Sequence, residues 1–332
     1  MGDLLFIIAP PFVVLICLLA LDVLSVLPNE LNNFTWVLLI LMVDVGHVYS
    51  SLYRTYFDPL ERKKYSILLI LGPICCFATG VFCYGMDPGF FWRMLAYVAV
   101  FHFVRQQYGF MRLYSRMEKQ TLWQRRIDVL VIYALTLYPM WYWHTHDLNI
   151  SWFTDHDFIH WNDFEFSVMR YIYVSIILLF LTKEGYRIFQ TKELNITKNL
   201  VVAGTGLSWY FGIVYFEGDL AFTALNVISH GVPYMALVWF HKQKETQTSA
   251  MVIRLIKLKS GWIFFLVSII FFAYLEETCW DAFVWQEHVD IFPFVEVFKK
   301  FDFSSTFIWL VPLLSLPQTT HYLVDGYIWK RT

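Results

Sequence analysis

The chain has 332 residues, of which 58% are hydrophobic and only 16% are charged, whereas an ordinary soluble domain has about 25% charged residues. The formal net charge of −2 excludes a strongly basic nucleic-acid-binding protein, so we expect no nucleic-acid partner. Aromatic residues make up 20% of the chain, which is typical of membrane proteins that place rings at the membrane interfaces. The five cysteines follow neither a disulfide pattern nor a zinc-site pattern. The composition therefore predicts an all-α integral membrane protein.

Ten segments, in chain order, are long and apolar enough to be membrane-spanning helices, which need about 20 residues. They are 4–27, 34–54, 65–85, 90–111, 127–143, 166–185, 198–216, 219–240, 252–275 and 303–328. The first segment has no basic start or clear cleavage site, so we expect a helix rather than a signal peptide. No internal repeat or soluble domain is visible, and residues 1–332 are predicted to form a single transmembrane domain, a polytopic helical bundle.

The charged residues between these segments predict the orientation of the chain. Twenty of the 25 Lys and Arg residues fall on one side of the membrane, at 54–64, 112–126, 183–198, 242–259 and 330–331. The positive-inside rule assigns this side to the cytoplasm, together with both termini. The two longest loops, 144–165 and 276–302, then lie on the other side, and residues 291–301 in the second loop resemble an amphipathic helix lying in the interface.

Four histidines lie inside apolar segments, on the second, fourth, eighth and tenth predicted spans. They are His47, His102, His230 and His321, and each has a polar neighbour three or four residues away, respectively Asp44, Gln106, Asn226 and Asp325. Residues at these spacings share one face of a helix. Ionisable groups are costly in hydrocarbon, so they generally face the bundle interior and serve chemistry or transport.

The four spans that carry these histidines are all predicted to run from the outside to the cytoplasm. Each histidine precedes the basic residue at the inner end of its span by seven to twelve residues, or roughly 10–18 Å at 1.5 Å per residue. The four imidazoles are therefore predicted to share one layer in the cytoplasmic half of the membrane. The alternative is a set of core histidines that only join helices through hydrogen bonds.

Imidazole nitrogens bind iron, copper, zinc and nickel, and a histidine-rich site with an open position suits iron and dioxygen. We therefore expect a transition metal, with iron as the first candidate, bound by the four histidines. Asp44, Asp325 and Gln106 are predicted to bind the metal or to orient its ligands. Arg105 is expected to pair with Asp44 or Asp325 or to hold an anionic group, unless it extends to the interface.

The outer loop offers a second set of candidate ligands in short spacings. These are His144, His146, Asp147, His156 and His160. Short ligand spacings are frequent false positives, so a solvated loop is the preferred interpretation.

The layout of the inner histidines resembles one known family. The HxxxH and HxxHH boxes of membrane-bound hydroxylases and desaturases do not occur in the predicted spans. His47, the His102-Phe-x-x-x-Gln segment and the Asn226-x-x-x-His230-Gly segment are similar in layout to the membrane-bound β-carotene dioxygenases of the Brp/Blh type. The resemblance implies iron held by histidines from several helices, and it does not extend to a carotenoid substrate.

These patterns together predict a membrane-bound, metal-dependent oxidoreductase, specifically a non-haem iron oxygenase or hydroxylase. Its expected partners are a lipid-soluble small molecule or lipid and an electron-donor protein. One alternative is a proton- or metal-coupled transporter that uses the same histidines and aspartates, although no inverted repeat supports it. A haem protein with axial histidines and a transferase with a histidine general base are further alternatives.

Overall fold

A computed structural model describes residues 2–148, 150, 152–154, 157–161, 166–245 and 250–329. These residues are mostly helical and contain no β-strand, which confirms the predicted all-α class. The helices are α1 (Pro10–Val23), α2 (Asn33–Arg54), α3 (Pro59–Lys64), α4 (Ser66–Met86), α5 (Pro88–Ser115), α6 (Leu122–Thr145), α7 (Phe166–Thr191), α8 (Ile196–Trp209), α9 (Asp219–Lys244), α10 (Met251–Ile256), α11 (Gly261–Trp285), α12 (Phe307–Leu314) and α13 (Leu316–Ile328). Turns of π-helix occupy Leu4–Ile8, Val37–Val45 within α2, Tyr210–Tyr215 and Asp281–Trp285 within α11.

Each of the ten apolar segments coincides with one helix or with two consecutive helical stretches. Four helices of the described chain, α2, α4, α9 and α11, are long and apolar enough to cross a membrane. The last segment is divided at Ser315 into α12 and α13, and Pro317 lies in the first turn of α13, where its missing N–H is tolerated. The total of ten spans stays a prediction.

Local sequence signals explain where several helices begin. The side chain of Asn32 accepts a hydrogen bond from the N–H of Thr35 (2.9 Å) at the start of α2. Asp58 caps α3 and Thr121 caps α6 in the same way, because a side-chain oxygen satisfies N–H groups that have no partner within the helix. Pro88 is the first residue of α5, a position at which proline is favoured.

The chain divides into two compact units. The first unit comprises Met1–Leu31 and Ala96–Pro233, and the second comprises Asn32–Leu95 and Tyr234–Thr332. The first unit has an aromatic core that includes Phe103, Trp209 and Phe222. The core of the second unit around Tyr53, Tyr234 and Phe265 is likewise rich in aromatic rings. Of the three boundaries along the chain, one precedes α2 and the other two fall inside α5 and α9, so each of these two helices contributes to both units.

Three basic residues assigned to a solvated loop are buried within the first unit. Lys183 forms ion pairs with Asp128 and Glu184, and Lys198 lies 2.6 Å from Glu184. Arg187 is also buried, 3.3 Å from the same glutamate. Helix α7 continues to Thr191, beyond the predicted end at 185, because buried partners allow a charged helical turn to pack.

The predicted outer loop 276–302 also differs from the structure. Helix α11 continues to Trp285, so Glu276 and Glu277 are helical rather than part of a loop. Residues Pro293–Lys300 form a 3₁₀-helix instead of an α-helix. Val295 is buried, but Phe294 and Val297 are exposed, so the apolar side chains of this segment do not share one buried face.

Candidate metal centre

The four inner histidines form one buried group. One ring nitrogen from each of His47, His102, His230 and His321 lies within 4.8 Å of the other three, and the residues are only 1–5% exposed. Imidazole nitrogens lie about 2.0–2.1 Å from a bound zinc ion, so two nitrogens on opposite sides of such an ion are roughly 4.2 Å apart. Shifts of the rings by about half an ångström would therefore suffice to bind a metal ion. No other His, Cys, Asp or Glu residues of the described chain form such a group.

Within the second unit, His47 of α2 and His321 of α13 lie edge to face, with ring centroids 5.1 Å apart. Tyr234 of α9 contacts both, with centroid distances of 5.9 Å to His47 and 4.9 Å to His321. Tyr234 is 1% exposed. Sequence reasoning missed this tyrosine, although it follows His230 by four residues, a spacing that places both on one face of α9.

The backbone of α2 determines which nitrogen of His47 faces a metal. Nδ1 lies 3.2 Å from the carbonyl oxygen of Val43 and 3.8 Å from a carboxylate oxygen of Asp44. A carbonyl oxygen only accepts hydrogen bonds, so Nδ1 carries the proton and Nε2 carries the lone pair of the neutral ring. At 3.8 Å, Asp44 is an electrostatic neighbour of the ring rather than its hydrogen-bond acceptor. It lies in the π-helical turn Val37–Val45, and such turns are frequent at functional sites.

Within the first unit, His102 of α5 and His230 of α9 form the second edge-to-face pair, with centroids 4.9 Å apart. Phe103 stacks on His230 at 3.7 Å and 11° between the planes. The amide Nε2 of Gln106 donates a hydrogen bond to the carbonyl oxygen of His230 at 3.1 Å. Ring stacking and this hydrogen bond hold α5 and α9 together beside the two imidazoles.

Two amide oxygens beside this pair have no hydrogen-bond partner in the described part of the chain. They are Oε1 of Gln106 and Oδ1 of Asn226, and both are buried. Gln107 differs, because its Nε2 donates to Ser229 (3.3 Å) and its Oε1 accepts from Thr205 (3.0 Å). A buried acceptor without a donor costs about 1–3 kcal/mol. In native proteins such a group calls for an explanation, for example a water molecule or an ion.

Asp325 lies in a polar network within the second unit. Its carboxylate accepts a hydrogen bond from Nε1 of Trp329 (2.6 Å) and lies near the hydroxyl group of Tyr234 without a hydrogen bond between them. Arg54 is the arginine near this carboxylate, and it donates to the carbonyl oxygen of Ile328 (3.0 Å). Glu61 of α3 pairs with Arg54 at 2.6 Å.

Arg105, expected to pair with Asp44 or Asp325, to hold an anionic group or to extend to the interface, contacts two tyrosines of the first unit. The Arg105 side chain is exposed, donates a hydrogen bond to the hydroxyl of Tyr133 (2.8 Å) and lies over the ring of Tyr108 (4.8 Å). Arg105 follows His102 by three residues, and its long side chain leaves the helix toward α6 instead of the histidine face.

The helical glutamates of α11 are further acidic groups close to Asp44. Glu276 and Glu277 are near enough to interact electrostatically with that aspartate. Glu276 also accepts a hydrogen bond from Nε1 of Trp280 at 3.4 Å. Sequence reasoning assigned both glutamates to the outer loop, because a pair of acidic residues normally ends a membrane span.

The outer-loop histidines that the structure describes bind other groups. Nε2 of His144 lies 2.7 Å from the hydroxyl of Tyr97, and His146 stacks on Tyr142 at 3.8 Å. His160 lies 3.6 Å from Asp147. His156 lies outside the described residues. The described residues of this loop thus form no group of metal ligands.

Comparisons of the chain with protein-family models, with curated proteins and with solved structures find no match. The resemblance to the Brp/Blh dioxygenases therefore stays an expectation from the sequence, and the argument for function depends on the histidine group.

Proposed function

We propose that the chain is an integral membrane oxidoreductase with a transition metal, iron first, bound by His47, His102, His230 and His321. We further propose that it is a non-haem oxygenase or hydroxylase that acts on a lipid-soluble substrate. The observation that carries this proposal is the buried group of four imidazoles, which come from four different helices. A set of histidines that merely joined helices would have no reason to place four ring nitrogens so close together.

The chemistry of the donor set favours a redox or Lewis-acid metal. Imidazoles suit iron, copper, zinc and nickel, and the five cysteines are free thiols outside the group, which argues against an iron–sulfur cluster. Four neutral imidazoles leave the charge of a divalent ion uncompensated in an apolar interior. Asp44, near His47, and Asp325, one turn from His321, are the carboxylates that would offset this charge.

The surroundings of His102 and His230 support binding of a small molecule at an open metal position. The buried oxygens of Gln106 and Asn226 would accept hydrogen bonds from a bound water or hydroxyl group. When bound, the metal would supply the activation of dioxygen, while these amides and rings orient the reactants.

A second candidate is a proton- or metal-coupled transporter. It is favoured by one observation, the ionisable groups of the second unit. Asp44, Glu276 and Glu277 lie near one another, and Asp325 lies near Arg54. Ionisable groups within membrane helices often mark an ion pathway.

Metal content tests the centre directly. Protein purified in detergent, after growth with iron, copper and zinc, is analysed for metals beside the variants His321→Ala and His230→Ala. We expect a stoichiometric transition metal in the wild type and its loss from both variants. His146→Ala is the matched control, since His146 stacks on Tyr142 away from the group, and it should keep the metal. A wild type without metal would overturn the proposal.

Oxygen uptake separates the two candidates. Iron-loaded protein is incubated with a membrane lipid extract, and dioxygen consumption is measured together with hydroxylated products by mass spectrometry. Uptake that depends on His321 supports the oxygenase. Metal or proton flux into proteoliposomes, without oxygen uptake, would establish the transporter instead.

A further inference from the structure

An arginine on the surface of the first unit has aromatic neighbours but no acidic one. The guanidinium of Arg105 on α5 lies 4.8 Å from the ring of Tyr108, and its Nη1 donates a hydrogen bond to the hydroxyl of Tyr133 on α6 at 2.8 Å. The two tyrosine rings stack with centroids 5.9 Å apart, so together they fix the position of the guanidinium. Among the described residues, no carboxylate forms an ion pair with Arg105.

The hydrogen-bonding groups at this position are donors. A guanidinium has five N–H groups and no acceptor, and one of those of Arg105 donates to a described residue, Tyr133. The Tyr133 hydroxyl accepts this bond, and its own proton has no acceptor within the described part of the chain. A planar guanidinium binds the two oxygens of a carboxylate in bidentate form, and the adjacent O–H group would add a further donor to the same anion.

Apolar side chains continue from this cation along the same helix. Phe101 and Val98 precede Arg105 by four and seven residues, so they share its face of α5, and they are 64% and 40% exposed. On α6, Leu137 follows Tyr133 by about one turn and is 54% exposed. An exposed apolar strip that ends in a cation matches an amphiphile with an acidic head and a hydrocarbon chain.

The depth of the cation favours a single-chain acid over a phospholipid. Arg105 precedes Arg112, at the inner end of the predicted fourth span, by seven residues, or roughly 10 Å. The phosphate of a phospholipid lies in the headgroup region and is tied to two chains, whereas a fatty acid has its charge at the end of one chain. A Cβ built on Gly109, about one turn after Arg105, would meet open space, so this face of α5 is open toward the inner boundary.

We propose that Arg105 and Tyr133 bind the carboxylate of a long-chain fatty acid whose hydrocarbon chain lies along the apolar strip of α5. Pairing with the carboxylate offsets the cost of a cation below headgroup level. Arg105 follows His102 by three residues, so the helix that holds the acid also carries one of the four histidines. The site thus indicates a fatty acid as the substrate class, and this last step rests on the proposed function.

Binding of radiolabelled oleate tests the site directly. Protein as purified is reconstituted in nanodiscs of zwitterionic phosphatidylcholine, and saturable binding is measured above that of empty nanodiscs. We expect Arg105→Gln to weaken binding by about 10–100-fold, the loss expected for hydrogen bonds to a charged group. Tyr133→Phe should weaken it less. Arg105 is exposed, so Arg105→Gln should fold, which thermal unfolding in detergent checks.

The chain provides a matched control arginine. Arg126 is also exposed, and it precedes Tyr133 by seven residues on α6, near the basic membrane face. Arg126→Gln removes the same charge and should bind oleate normally. An equal loss in both variants would show a general attraction to the basic face and refute the site. Unchanged binding in folded Arg105→Gln would also refute it, since Arg105 would then only extend to the interface.

Competing lipids identify the head group. Methyl oleate has the same chain without the charge, so it should not displace oleate, and displacement by it would show that the carboxylate is not recognised. Phosphatidylglycerol, an anionic phospholipid, should not displace oleate either. Displacement by phosphatidylglycerol would make this a phospholipid headgroup site and overturn the assignment to a fatty acid.

Metal analysis of the same samples separates this inference from the proposed function. Protein that contains iron but does not bind oleate keeps the metal centre and refutes the fatty-acid site. Protein that binds oleate through Arg105 but contains no metal keeps the binding site, and it refutes the proposed function together with the naming of the substrate.

Discussion

Replacing Gln106 with methionine should weaken metal binding without destabilising the metal-free protein. Methionine has a similar length but no strong hydrogen-bonding group. The change removes one neutral hydrogen bond, from Nε2 to the carbonyl oxygen of His230, which contributes about 1 kcal/mol. It also removes the buried Oε1, whose missing donor costs about 1–3 kcal/mol. The two effects offset each other, so the stability of the metal-free protein should stay the same or rise.

The metal-bound protein should respond in the opposite direction. If Oε1 accepts a hydrogen bond from a molecule on the metal, its loss removes a group that supports the ligands. Losses of this kind typically weaken metal affinity by about 10–100-fold. The prediction is therefore a change of metal affinity with no matching loss of stability.

The adjacent Gln107 is the matched control. It has nearly the same burial as Gln106, but both ends of its amide have partners, Ser229 and Thr205. Gln107→Met should destabilise the protein by roughly 1–3 kcal/mol and leave metal affinity unchanged. Affinity is measured by competition with a chelator, and stability by thermal unfolding of metal-free protein in detergent. If Gln106→Met destabilises the protein as much as Gln107→Met and binds metal normally, Gln106 is a structural residue only.

Three further results are expected. Phe103→Leu removes the ring stacked on His230 and should weaken metal binding by about 0.5–1.5 kcal/mol. The affinity is measured by the same chelator competition, and an unchanged affinity would show that the stacked ring does not position His230. Burial raises the pKa of Asp58, but the Lys242 ammonium and two backbone N–H groups outweigh burial and hold this pKa below 3.8. The ionised carboxylate therefore stabilises the folded protein fully at neutral pH, and this stabilisation is lost as the pH falls through the lowered pKa. Asp58→Asn should accordingly cost roughly 1.5–3 kcal/mol in unfolding at pH 7 and much less in strong acid, because it removes a charge-assisted hydrogen bond to the buried Lys242, which keeps Glu245 as a partner at 2.7 Å. A pH-independent cost would contradict the ion pair with Asp58. In a background without native cysteines, a membrane-impermeant thiol reagent should label a cysteine at position 150 from outside and not one at 120, and the reverse would overturn the predicted orientation.

Hydrophobic periodicity predicted the helices well, because long apolar runs identify them independently of tertiary contacts. The ends were less accurate wherever charged residues are buried. Lys183 and Glu277 both looked like the edge of a solvated loop, yet one pairs with buried acids and the other continues α11. A hydropathy profile treats a charge as solvated, so it cannot detect a partner from a distant segment.

The same limit applies to the centre. The shared depth of the four histidines predicted their grouping, because depth follows from helix rise and loop charge alone. The depth did not reveal Phe103 or Tyr234, whose roles depend on which helix lies opposite. Spacing along α5 likewise places Arg105 on a face without showing whether Tyr133 or an aspartate lies beyond it.

The surroundings of the two histidine pairs differ, and this difference bears on the choice between enzyme and transporter. His102 and His230 have neutral neighbours, the amides of Gln106 and Asn226 and the ring of Phe103. The pair in the second unit has carboxylates, Asp44 and Asp325, in its surroundings.

An ion that passes through a protein needs charged or strongly polar groups along its whole route, because desolvation is costly. Neutral amides and a stacked ring instead suit an uncharged reactant, such as dioxygen or a lipid, at the open position of a metal that stays bound. The carboxylates would then serve the transfer of protons. This asymmetry favours a resident metal and an enzyme over a transported ion.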